Sequence, residues 1–71
     1  MNFYQAVGEL LKGNCITRSN LNAEYIQFHK PDENNNVAHF MIHYKNNNQD
    51  IWFPNKEDSD ATDWEIYNIS Q

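Results

Sequence analysis

Residues 37–45 read VAHFMIHYK, and their alternation decides the fold. In an extended chain Ala38, Phe40, Ile42 and Tyr44 fall on one side, and Val37, His39, Met41, His43 and Lys45 on the other. The first set is a core face; the second is amphipathic and half-exposed. Working outward, Asn46, Asn47 and Asn48 make a turn, because asparagine tolerates positive φ and bonds its own backbone. Residues 50–53 form a further strand, ended by Pro54. Upstream, residues 32–36 are a polar loop, and residues 23–29 form a strand stopped at Lys30 and Pro31, since proline cannot donate to a ladder. Residues 14–18 are a short β-prone run followed by a turn at 19–22. A charged loop at 55–62, with room for one helical turn, leads to a last strand at 64–68 and a frayed tail.

A core face needs a cover, and the first residues provide one. Phe3, Ala6, Val7, Leu10 and Leu11 recur at the spacing of one helical stripe. Asn2 can cap the first turn, with Gln5 placed to reach back to it. Lys12 suits the negative end of the helix dipole, and Gly13 can take the left-handed conformation that stops a helix. The spacing predicts a helix over 3–12, weakened a little by Gly8. The expected fold is α+β, one N-terminal helix packed on an antiparallel sheet of about five strands, in a single domain spanning 1–71.

Composition narrows the function. With 71 residues the core is thin, so oligomerisation is an expected source of further burial. Cys15 is the sole cysteine, which excludes a disulfide within the chain and, with no signal peptide, suggests a reducing compartment. No apolar run approaches the roughly 18 residues of a membrane span. Ten acidic against five basic side chains give a net charge of −5, the opposite of a bulk nucleic-acid or anionic-membrane binder. An acidic surface that imitates DNA stays open. At 14%, aromatic residues are too many for a disordered acidic tail.

Three histidines invite a metal reading. His39 and His43 share a strand face but stand about 13 Å apart at the strand rise, too far to hold one zinc together. His29 can join only from a neighbouring strand, so no metal site is assigned. Cys15 has no basic neighbour nearer than Arg18, which favours a buried structural thiol over a nucleophile. Six acids stand in 50–65 against the single base Lys56, a solvated loop or a ligand-contacting one. Of the two tryptophans, Trp64 beside Ile66 is expected in the core. Trp52 is the better candidate for a ligand platform or subunit interface. Arg18, the only arginine, offers a planar fork for phosphate or carboxylate.

Met1, Asn2, Phe3, Ala6, Leu10, Gly13, Ile16 and Arg18 resemble the start of a small phage and prophage domain, M-N-F-x-x-A-x-x-x-L followed by a glycine and a V-x-R strand. Trp52, Pro54, Asp58, Ala61, Asp63, Trp64 and Glu65 match its second signature, W-x-P-S-x-x-D-L-L-A-x-D-W-E. The best-known members are the Thoeris anti-defence sponges of the second type, and the domain includes a protein described as an anti-CRISPR. Leu21 stands where the family usually carries tryptophan, with Asn22 retained; Asn55 replaces the motif serine, and Ser59 and Asp60 its paired leucines.

The resemblance implies a phage protein that binds and sequesters a nucleotide-derived immune messenger, a cyclic ADP-ribose isomer or a cyclic dinucleotide. It implies no turnover, no catalytic residue and no cofactor or metal. It further implies a homo-oligomer, a dimer or tetramer, acting in the cytoplasm of the infected bacterial host. Trp52 and Phe3 are then candidates to stack on a base, Asp58 and Asp63 to accept ribose hydroxyls, and Arg18 to hold phosphate. Asn22, Pro54 and Asn55 are carried over as motif positions. The alternative is an acidic protein-binding inhibitor, of anti-CRISPR or DNA-mimic type, that occupies a host defence nuclease.

Overall fold

The computed structural model describes residues 1–34 and 36–68. Among them the order is α1 (Phe3–Leu11), β1 (Cys15–Thr17), β2 (Tyr25–His29), β3 (His39–His43), β4 (Gln49–Ile51), α2 (Lys56–Asp60) and β5 (Glu65–Tyr67). The sheet runs β4-β3-β2-β1-β5 with every neighbouring pair antiparallel, so the chain is the expected α+β fold. The first four strands form a meander. The chain then passes through α2 and lays β5 on the far side of β1. The frayed tail expected beyond residue 68, and residue 35 of the polar loop, lie outside the described residues. Among the described residues no helix is long and apolar enough to cross a membrane.

Local chemistry sets the ends of α1. Asn2 Oδ1 accepts the Gln5 amide at 2.8 Å, and Gln5 Oε1 accepts the Asn2 amide at 2.9 Å, a complete capping box. At the other end Gly13 adopts φ +102°, and the Asn14 amide reaches back to the Glu9 carbonyl at 3.0 Å. The helix stops at Leu11, one residue short of the spacing prediction.

The strands are also shorter than the pattern predicts, for identifiable reasons. Tyr44 leaves β3 because its amide and carbonyl close the hairpin onto Asn48 and Asn47, and Asn47 takes φ +71°. Asn22 at φ +51° delays β2 to Tyr25. Trp64 lies just before β5 because its amide donates to the Met1 carbonyl at 3.2 Å.

One face of the sheet carries the core. Register aligns Ile66, Ile16, Ile26 and Ile42 in a single row across four strands. Ala6 and Leu10 of α1 press onto that row and are fully buried, as are Ile16 and Ile26. Leu10, Ile16 and Ile26 each contribute about 1.5–3 kcal/mol through burial. α1 lies over β1, β2 and β5. Phe28, Phe40 and Trp52 fill the β3–β4 side of the same face, with Phe3 of α1 against Trp52.

Candidate functional site

The motif of residues 52–65 folds into a network around one carboxylate. Asn55 caps α2: its Oδ1 accepts the Asp58 amide at 2.8 Å, and Asp58 Oδ2 accepts the Asn55 amide at 3.0 Å. The other oxygen, Oδ1, accepts Arg18 Nη2 at 2.8 Å in an ion pair whose side chains are both buried. The backbone carbonyl of the same aspartate accepts Trp64 Nε1 at 3.0 Å, and the Arg18 guanidinium sits 5.3 Å from the Trp64 ring centre. Asp58 thus ties the residue that follows β1, the helix α2 and the last tryptophan together. Arg18 and Asp58 come together with each other, while Phe3 packs against both tryptophans at 6.4 and 6.3 Å.

Asp63 belongs to a different surface. The Ser19 hydroxyl donates to its Oδ2 at 2.7 Å, and that bond holds the carboxyl below its ordinary pKa. Beside Ser19 lies a polar recess of about 340 Å³ lined by Ser19, Asn22, Ala23 and Lys45. The positive φ of Asn22 bends the chain there. Of the residues singled out from the sequence, Asn22 lines this recess. Lys45, the cation that sequence reasoning passed over, stands with it.

A second recess, of about 420 Å³, is apolar. Trp52, Phe53 and Pro54 follow Ile51 along one wall, and Phe28, Ala38, His39 and Phe40 make the other. The two tryptophans do not divide as the sequence suggests. Trp64 is buried as expected, but Trp52 is only 7% exposed, so it is no open platform. Its ring is wedged edge-on between Phe40 and Trp64, both at 6.1 Å, with Phe3 at 6.4 Å. At this recess the exposed ring is Phe53, at 81%. Alternation along an extended chain sends one of these neighbours inward and the other out. Interlock with three rings decides that Trp52 goes in.

The two recesses lie at opposite ends of β3, marked by Ala38 and Lys45. Between them runs the five-residue strand β3, about 16 Å at the strand rise.

The face of the sheet away from the helices carries stacked rings. Tyr25 stacks on His43 at 4.5 Å and on Tyr67 at 4.9 Å, and the Tyr67 hydroxyl donates to Glu24. Burial pushes the His43 imidazole below its ordinary pKa. Beneath these rings Cys15 is buried, and burial pushes its thiol up, away from the thiolate a nucleophile requires. Among the described residues no group of three histidine, cysteine or acidic side chains is placed to hold a metal.

Set against known proteins, residues 1–67 match the family model described as the Tad2-like, Thoeris anti-defense 2-like domain. The comparison with curated proteins finds no match.

Proposed function

The chain belongs to the Thoeris anti-defense 2-like family, whose role is to counter Thoeris defence, and from that premise we propose that it binds a nucleotide-derived immune messenger and sequesters it without turnover. The observation that carries this reading is the apolar recess, where the exposed Phe53 ring and Pro54 stand beside the wedged Trp52. A purine stacked on such a surface gains about 1–3 kcal/mol. Because Trp52 is already immobilised by Phe3, Phe40 and Trp64, little ordering cost remains to be met on binding. The fitting ligand class is a cyclic ADP-ribose isomer or a cyclic dinucleotide, acted on in the cytoplasm of the infected host.

The polar half of such a ligand needs a cation and hydroxyl partners. In this reading Lys45 takes the phosphate, Asn22 and the Ser19–Asp63 pair take ribose hydroxyls, and Arg18, Asn55 and Asp58 hold the walls in place. In this reading one small nucleotide does not reach from one recess to the other past the length of β3, about 16 Å. The base recess of one protomer and the polar recess of another therefore combine into a site, which makes the active species a homo-oligomer, a dimer or tetramer. The acidic-inhibitor alternative has less support, because Asp58 is spent on an internal ion pair and Asp60 is bonded to Lys56 at 2.7 Å.

Native mass spectrometry of the purified protein mixed with each messenger class tests the proposal. The expected result is an oligomer carrying intact nucleotide. A monomer that retains none of the offered nucleotides contradicts it.

A further inference from the structure

We propose that His29 and His39 form a two-imidazole site for a late first-row divalent ion such as Zn²⁺, Cu²⁺ or Ni²⁺. Along β3 the spacing of His39 and His43 forbids a shared ion. Across the sheet, register sets His29 directly opposite His39. The two rings face each other nearly parallel, with centres 5.2 Å apart and planes 17° from coplanar stacking. A tetrahedral ion bound at about 2.0–2.1 Å to each nitrogen needs the donors roughly 3.4 Å apart. The exposed His29 side chain turns its ring to bring a nitrogen to that spacing, while the His39 ring keeps its place and the ladder does not move.

The tautomer is already the one a metal requires. His39 Nδ1 lies 3.0 Å from the Val37 carbonyl oxygen. A carbonyl only accepts, so Nδ1 carries the hydrogen and Nε2 carries the lone pair. Metal-binding histidines are commonly oriented by this kind of backbone hydrogen bond. With no third protein ligand among the described residues, water completes the coordination. Such a site is open and exchangeable rather than a structural zinc centre. Imidazole donors suit zinc, copper and nickel over magnesium or calcium. The site does not depend on the messenger reading and is tested without any nucleotide.

His43 serves as the internal control, since its Nε2 is buried without a partner and its ring is stacked on Tyr25. The experiment is a titration of the full chain with zinc chloride, followed by calorimetry and by the histidine ring signals in NMR. The expected result is saturation at one ion per chain, with the His29 and His39 signals moving and those of His43 unmoved. H29Q and H39Q each weaken binding by on the order of tenfold or more. Overturning results are an absence of saturable binding, unchanged affinity in both variants, or equal movement of all three histidine signals.

Discussion

The two faces of the sheet are built from the same strands and behave as different materials. On the helix side, Ile16, Ile26 and Ile42 lie in one row under Ala6 and Leu10, flanked by Trp52 and Trp64. Every large side chain there is held by several others, as a close-packed interior requires. On the other side, rings stack in pairs: Tyr25 on His43 and Tyr67, and His29 on His39. Among the described residues both helices pack on the first side, and the stacked rings keep polar tips. The two faces divide the labour. The covered face determines whether the chain folds, and the open face and the recess at the β3–β4 end of the sheet are where a solute can meet the protein.

On the covered face the largest effect is expected at Trp64, which is 1% exposed and bonded through Nε1 to Asp58. Trp64→Ala is expected to cost about 3–5 kcal/mol, read as a lower urea midpoint. Next is Asp58→Ala, which strands a buried guanidinium and removes the α2 capping box together; about 3 kcal/mol is expected. The double replacement Arg18→Met with Asp58→Leu should recover part of that loss, because no charge is then left buried.

A smaller effect marks the open face. His43 has its pKa depressed by burial, so the unfolded chain binds the proton more tightly than the folded one. Stability is then complete above the ordinary value of 6.5 and declines as pH falls through the depressed folded value. Urea midpoints measured on either side of that window should show the decline, and His43→Gln should flatten it. The smallest stability effect is expected at Phe53, where Phe53→Ala should change folding by no more than about 0.5 kcal/mol. The same substitution should reduce messenger affinity by about 1–3 kcal/mol, measured by calorimetry. Equal losses at Phe53 and Trp64 in folding would erase the distinction between the two faces.

The legible parts of the molecule are those governed by near neighbours. The alternation of residues 37–45 placed Phe40 and Ile42 on the core face, and the Asn2–Gln5 box and Gly13 bracket α1. Two departures from the family pattern also make local sense: Asn55 caps α2 as serine would, and Leu21 is buried in the core.

What escaped sequence reading depends on partners far away in the chain. Arg18 looks like a free phosphate fork until Asp58, forty positions later, claims it. Trp52 looks like a platform until Phe3, Phe40 and Trp64 close round it. Lys45 becomes notable only when the turn at Asn22 brings Ser19 and Ala23 beside it. His29 and His39 become a pair only through register.

Capture without chemistry is open to a capture-and-release assay. The protein is mixed with the Thoeris messenger, free ligand is measured by liquid chromatography and mass spectrometry, and the mixture is then heat-denatured and measured again. The predicted result is a messenger that disappears from the free pool and returns at its original mass. A messenger that stays free throughout, or that returns cleaved, contradicts the claim.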